Sequence, residues 1–495
     1  MGSEGHTLHI LFFPFMAQGH MLPTVDIAKL FAAHGVKTTV LTTPGNVPII
    51  QTSIDRAKAQ SHHPIQIHTM PFPSVAGLPE GCENASFLPS NDISHLFFEA
   101  IGLLREPFSG VLRELRPDCV VTDMFLPWTY DVAAELGIPR IMFNGVSFFS
   151  LCVFDSLDRF NPLGNLEGEA DSFVIPGLPH KVEMLMSQVP DYLRPESPEA
   201  GFFKMVREND AKSYGVLVNS FYELEPDYTQ HYRKVVGRKA WHVGPVALCN
   251  EGIAERNTRG SQPSNNGAEC LTWLNGKSPS SVVYACFGSL FEFSCAQLRE
   301  IMLGLEACNH PFIFVIRKGG NECIPEGFED RVRERGLIIR GWAPQILILN
   351  HPAVGGFLTH CGWNSTLEGI SAGVPLLAWP MFAEQFFNEK LVVDLLKIGV
   401  AVGVKKCTSK LEERELIDAE RITGVINQLM DDGEEADNRR KRAKELGEMA
   451  QKAVEKDGSS YVDIGNLIHE LMERQKIIDR KLIDVSNTSI GVQAA

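Results

Sequence analysis

The stretch WAPQILILNHPAVGGFLTHCGWNSTLEGISAGVPLLAWPMFAEQ, from Trp342 to Gln385, decides the reading of this chain. At its centre Val354 to Thr359 is a short apolar run of the kind that forms a buried parallel strand. His360-Cys361-Gly362 turns the chain, and Trp363 to Glu368 begins a helix. Gly362 carries no Cβ, so its backbone can approach a ligand closely. Asn364, Ser365 and the unpaired N–H groups of the helix start offer hydrogen bonds to an anion, assisted by the helix dipole. His360, at the strand tip, adds another donor. A strand, a glycine turn and a polar helix start together suit a diphosphate. Trp342 presents a flat face for a planar base, with Gln345 three residues on to read its polar edge. Glu368 lies one helical turn beyond Asn364, where a carboxylate suits the two hydroxyls of a ribose. Glu384 and Gln385 supply an acceptor and an amide, as sugar hydroxyls require. Taken in order, the segment is a cradle for a nucleotide sugar.

The N-terminal half adds chemistry. His9 to Pro14 reads as a buried strand, Phe15 to His20 as a loop, and Met21 to Ala33 as a helix closed by Gly35. Val36 to Thr42 is the next strand. His20 therefore sits just past the C-terminal edge of a strand, where ligands bind in open α/β sheets. Asp118 to Asp123 is a second apolar strand with a carboxylate at its tip, and Phe125-Leu-Pro-Trp128 then opens a helix. Neutral His20 can take the proton of an alcohol or phenol. Asp123 can fix the imidazole tautomer and stabilise the imidazolium. Ser281 to Ser289 ends in a second glycine turn.

Trp342 to Gln385 closely resembles the signature box of the plant family 1 UDP-dependent glycosyltransferases, and the resemblance extends over essentially the whole chain. It implies an α/β, GT-B fold: two Rossmann-like domains facing each other across a cleft. On that pattern Trp342 stacks on uracil, Ala343 and Gln345 bind near the base, and Glu368 holds the ribose. His360, Asn364, Ser365 and Ser289 hold the diphosphate, and Gly19 and Gly362 also belong to the donor site. Trp363, Glu384 and Gln385 contact the sugar, and a final Gln accompanies glucose donors. The resemblance also places the catalytic dyad at His20 and Asp123. It implies a single inverting displacement that turns an α-linked UDP-sugar into a β-glycoside. PFMAQGHMLP and AEQFFNEKLV resemble the subgroup acting on flavonoids, triterpenoids and steroid-like alcohols. Phe15, Phe125, Trp128, Phe148 and Phe149 fall near the dyad and are expected to line an apolar acceptor pocket.

Composition bounds the rest. The chain has 495 residues, too many for one core, so two domains are expected. Residues 1–249 form the expected acceptor domain, 250–267 an exposed polar linker, 268–475 the UDP-sugar domain and 476–495 a loosely held tail. A formal charge of −15 argues against nucleic acid as a partner. Eleven scattered cysteines without framework spacing fit free thiols in a cytoplasmic protein. Apolar runs are too short for stable membrane insertion. No CxxC, HExxH or Asp-x-Asp is present, so no metal or other cofactor is expected, and the UDP-sugar is a co-substrate. The expected partners are that donor and a small-molecule acceptor, bound by a monomer.

Two other readings stay in view. A dinucleotide-dependent oxidoreductase would need GxGxxG after the first strand, and Phe13 to Gly19 has the wrong glycines. A catalytically silent nucleotide-sugar-binding protein has no use for both His20 and Asp123. Within the transferase reading, a different UDP-sugar or an already glycosylated acceptor remains open.

Overall fold

A computed structural model describes the chain apart from residues 1–6, 61–64, 166–167, 169, 195–196, 261–265, 289–292, 317–319 and 494–495. Short runs rich in Val, Ile, Leu and Phe form two parallel sheets, each buried on both faces as such runs require. The first sheet holds β1 (His9–Phe13), β2 (Lys37–Thr42), β3 (Ile65–Thr69), β4 (Cys119–Asp123) and β5 (Arg140–Phe143). An antiparallel hairpin, β6 (Ser172–Val174) with β7 (Glu183–Leu185), lies outside it. β8 (Gly215–Val218) and β9 (Ala240–His242) complete the first sheet, whose spatial order is β3-β2-β1-β4-β5-β8-β9.

The second sheet takes β10 (Val282–Cys286), β11 (Phe312–Ile316), β12 (Gly336–Arg340), β13 (Val354–Thr359), β14 (Leu376–Ala378) and β15 (Gly399–Ala401). Its order is β12-β11-β10-β13-β14-β15. Both sheets are doubly wound: strand order reverses between β1 and β4 in one, and between β10 and β13 in the other. Crevices open at the C-terminal ends of strands at such reversals, and these are the ligand positions of open α/β folds.

The two halves share packing as well as a cleft. Helix Phe148–Phe160 of the first half sets Phe154 against Phe387 of the second, with ring centroids 5.6 Å apart. Ser150 Oγ donates to Asn388 Oδ1 at 3.3 Å across the same seam.

Two parts of the chain depart from the sequence reading of the domains. The last segment is one helix, Ser459–Gln493, which runs through the expected boundary at residue 476 and whose N-terminal part does not stay with the second sheet. Its Ile464, Leu467 and Leu471 repeat at helical spacing and join the core of the first half beside Leu8, Ile27 and Phe31. Each such side chain contributes about 1.5–3 kcal/mol on burial, enough to draw the C-terminus back across the molecule. In the connecting segment, Ile253–Thr258 is helical and Gly260 is buried. Arg56 Nη1 donates to Ala254 O at 2.7 Å, tying that helix to the first half.

Cysteine usage differs in one respect. Cys295, at a helix start, and Cys323, in a tight turn, form a disulfide with Cα atoms 4.9 Å apart. The other nine form no disulfide. Among the described residues, no helix is long and apolar enough to cross a membrane.

Candidate active site

The two strand-order reversals face each other, and the sequence-derived residues gather there. In the first sheet β1 pairs directly with β4, with Phe13 opposite Thr122. That register brings the turn after β1 beside the tip of β4. His20, in the first turn of helix Gln18–Ala33, places its Nδ1 2.8 Å from Asp123 Oδ2. The Phe125 N–H donates to the other carboxylate oxygen at 3.0 Å. Asp123 is held on both sides and fully buried, whereas the His20 side chain keeps 20% exposure toward the cleft. Because the carboxylate accepts, Nδ1 carries the imidazole proton and Nε2 retains its lone pair. Burial lowers the affinity of His20 for a second proton, but Asp123, and then Glu384, more than offset this; the net pKa shift is upward.

The second reversal builds the anion end. β10 and β13 pair as far as Cys286 opposite Thr359, so the turns after them meet. Gly288 has φ +76°, and a Cβ there would lie 2.5 Å from His360 Cε1. A Cβ on Gly362 would lie 2.4 Å from His360 Nε2. Both glycines thus pack against the Cε1–Nε2 edge of the His360 ring, where neither leaves room for a side chain. Between His360 and Gly362, Cys361 is held at φ +61°, a left-handed conformation that costs a residue with a side chain about 1–2 kcal/mol. Gly362 caps helix Trp363–Ser371 with no side-chain acceptor; the Trp363 N–H binds the Glu384 carboxylate, and the helix start lines the cleft. Asn364 Nδ2 donates to Gly19 O at 2.6 Å, joining the anion loop to the turn that carries His20.

Around this point the remaining donor residues form one polar chain. Tyr284 Oη donates to Gln345 Oε1 at 3.3 Å, and Gln345 Nε2 donates to Ser365 Oγ at 3.0 Å and Glu368 Oε2 at 2.7 Å. Trp342 Nε1 donates to Arg259 O at 3.2 Å. Trp363 is buried, its Nε1 donating to Asn219 O at 2.7 Å. Gln385 accepts from the N–H groups of Met381 and Phe382 at 2.9 and 3.2 Å, so its carbonyl is committed, and the residue lines the cleft. Burial pushes the Glu384 carboxyl up despite backbone hydrogen bonds and the nearby His20.

A single cavity of about 1080 Å³ runs between the halves. Gly19, His20, Trp342, Ala343, Gln345, His360, Gly362, Trp363, Asn364, Ser365, Glu368, Glu384 and Gln385 all line it. Ser289 lies outside the described residues. Among the described residues, no group of three His, Cys, Asp or Glu side chains comes together as a metal cluster.

Comparison with known proteins places the chain in a family. A family model described as "UDP-glucoronosyl and UDP-glucosyl transferase" matches residues 199–428. The scopoletin glucosyltransferase of Nicotiana tabacum is 49% identical, over 94% of this chain and 98% of that protein. The UDP-glucose flavonoid 3-O-glucosyltransferase 7 of Fragaria ananassa is 48% identical, over 94% and 96%. Among solved structures, Glycyrrhiza uralensis UGT73P12 complexed with glycyrrhetinic acid 3-O-monoglucuronide superposes with a TM-score of 0.91. It shares 43% identity and covers 97% of this chain and 99% of its own. The chain belongs to the plant UDP-dependent glycosyltransferases.

In this glycosyltransferase the cavity wall beside His20 differs from the sequence reading. Phe125 lines the cavity beside His20, with ring centroids 5.4 Å apart. Phe15 lies behind that wall, 5% exposed, with its ring edge against His20. Trp128 is turned away and packs on Phe13 and Phe108. Phe148 and Phe149 are fully buried and do not reach the cavity: their ring edges pack on Tyr232 and Tyr228. Their backbone N–H groups bind Glu225 at 3.0 and 2.7 Å, a fixed helix start that holds both rings in the core.

The wall is completed instead by Met124, Asn144, Tyr192 and Phe203. Tyr192 stacks on Phe203 with centroids 4.0 Å apart. The doublet Phe202-Phe203 in an amphipathic helix was the available signal, but only tertiary packing brings it to the dyad. Replacing Trp342 by Ala is expected to weaken UDP binding about tenfold, since an aromatic face stacked on a base contributes ~1–3 kcal/mol. Calorimetric titration with UDP measures this.

Proposed function

We propose that this glycosyltransferase moves glucose from UDP-glucose to a hydroxyl or carboxyl of a small apolar plant metabolite, with inversion, to give a β-glycoside. The observation that carries the reading is the His20–Asp123 pair, oriented at 2.8 Å and opening on the same cavity as Glu384 and Gln385. In the proposed step Nε2 of neutral His20 takes the acceptor proton as the acceptor oxygen attacks the anomeric carbon. The bond from that carbon to the diphosphate oxygen breaks, and its electron pair leaves with UDP. The N-terminus of helix Trp363–Ser371, with His360 and Asn364, stabilises the charge that develops there. The Gln385 amide and the Glu384 carboxyl hold sugar hydroxyls, Trp342 and Gln345 the base, and Glu368 the ribose.

The acceptor side favours flat or polycyclic aglycones, because Phe125, Met124, Tyr192 and Phe203 present apolar faces around the base. Scopoletin and flavonoids, named for the relatives, fit the size of this wall. The solved neighbour holds glycyrrhetinic acid 3-O-monoglucuronide, which keeps polycyclic acceptors within the same proposal. Cytoplasmic residence belongs to the same proposal. So does action as a monomer.

The experiment is turnover of purified protein with UDP-glucose, UDP-galactose and UDP-glucuronate against a hydroxycoumarin, a flavonol and a triterpene acid, with mass detection. A hexoside formed fastest from UDP-glucose supports the reading. Turnover only with another donor overturns the glucose assignment. Tight UDP binding with no turnover on any pair favours a nucleotide-sugar-binding protein without catalysis.

A pH profile follows from the His20 environment. The base works only when neutral, so kcat/KM is expected to rise with pH through a midpoint above the ordinary histidine value of about 6.5. Asp123→Asn removes the largest influence that raises that value, so its acid limb is expected to move to lower pH while the plateau falls. An unshifted limb in Asp123→Asn would remove Asp123 from the mechanism.

A further inference from the structure

Arg259 lies in the segment expected to be an exposed linker, yet its side chain is only 12% exposed and lines the cavity. Its Nη1 lies 2.8 Å from Glu368 Oε1, on the donor-side helix of the second half. Its Nε lies 2.9 Å from Asp26 Oδ2, in the helix of the first half that begins beside His20. The far oxygen of each carboxylate is also held: Glu368 Oε2 by Gln345 at 2.7 Å, and Asp26 Oδ1 by Asn250 Nδ2 at 3.0 Å. Lys29 Nζ in turn donates to Asn250 Oδ1 at 2.8 Å. Asp26 and Glu368 are both buried, at 1% and 8% exposure. A buried carboxylate without a cation beside it is costly, so the guanidinium is a required part of this arrangement.

The backbone on either side is fixed too. The Trp342 indole N–H binds Arg259 O. A Cβ at Gly260 would lie 2.6 Å from the Trp342 ring and 2.7 Å from Leu22. The connecting segment therefore threads between the base platform and the His20 helix, and delivers one cation to both halves.

We propose that Arg259 is a positioning residue for the donor: by fixing Glu368 from one side, it makes that carboxylate a reader of the ribose hydroxyls. The proposal rests on Glu368 being the ribose contact. Each Glu368 oxygen has one protein donor in the described structure and can accept another hydrogen bond. Ribose hydroxyls can therefore add to the carboxylate without displacing Arg259. Through Asp26 the same guanidinium registers the ribose site against the helix carrying the base.

The test compares UDP with 2′-deoxy-UDP by calorimetry on the full chain. Wild type is expected to prefer UDP about tenfold, the effect of one hydrogen bond to a charged group. In Arg259→Ala, UDP is expected to weaken about tenfold and the preference to shrink below about threefold. Arg259→Lys, with one ammonium in place of a fork, is expected to fall between the two. It also serves as the variant to read if the alanine protein does not fold.

An undiminished preference in Arg259→Ala, or equal weakening of both nucleotides, overturns the proposal and leaves Arg259 a structural tie. A wild type indifferent to the 2′-hydroxyl overturns it as well. The transferase reading is judged separately by turnover: protein that discriminates the two nucleotides yet transfers no sugar sinks that reading and leaves this one standing.

Discussion

His20→Ala is expected to lower kcat/KM by about a thousandfold, within the 10²–10⁴ range that a positioned base contributes, while the Kd for UDP changes less than about threefold. The two halves of this result come from separate parts of the molecule. The imidazole projects from helix Gln18–Ala33 of the first half, and its side-chain hydrogen bond is to Asp123. The nucleotide cradle is built from the second sheet, with its own hydrogen bonds through Gln345, Ser365 and Glu368. Asp123 keeps the Phe125 N–H at 3.0 Å when the imidazole is gone, so the β4 tip retains a partner. Initial-rate kinetics beside UDP titration read both quantities. Activity within about tenfold of wild type would leave His20 without the role of base.

Gly288→Val carries the second large effect, and on the opposite property. Two independent obstacles meet at this position: φ is +76°, where a β-branched residue is a rare outlier, and the new Cβ would lie 2.5 Å from the His360 ring. A Cβ on Gly362 would lie 2.4 Å from the same ring, so His360 sits in close contact with both turns. The chain must distort at the anion end, so UDP affinity is expected to fall about a hundredfold, or ~2.7 kcal/mol. Gly341 provides the internal comparison. It has φ +92°, but its Cβ would meet nothing within 4 Å. Gly341→Ala therefore meets only the backbone term of about 1–2 kcal/mol, and its loss of affinity is expected to be smaller. Equal effects at the two glycines would show that contact with His360 is irrelevant to donor binding.

How much of this was legible beforehand follows from the range of the forces involved. The strands around His20, Asp123 and His360 are local apolar runs, and each functional turn follows its strand directly. The residues of the donor box could thus be read together from one stretch, and the tip positions of His20 and Asp123 from two more. The acceptor wall could not. Phe148 and Phe149 sit in a segment rich in aromatics near the dyad, but Glu225, far along the chain, fixes their helix start and directs both rings into the core. Phe203 reaches the cavity only because its helix packs beside Tyr192.

Three further features were settled only by tertiary structure. The polar segment around Arg259 has the look of solvent-exposed chain, yet its one buried guanidinium is paired with carboxylates 233 and 109 residues away in sequence. The apolar stripe Ile464, Leu467 and Leu471 is visible in the sequence, but which sheet it covers is a tertiary outcome. The Cys295–Cys323 pair, 28 residues apart, carries no framework spacing that would announce it.

The account turns on direct attack by the deprotonated acceptor on the anomeric carbon of a donor held across the cleft. The stereochemistry of the new glycosidic bond tests that most directly. Proton NMR of the product from α-linked UDP-glucose is predicted to show the β-anomer alone. An α-linked product, formed with retention, would require a different chemical route and would contradict the assignment of His20 as the base of a single displacement.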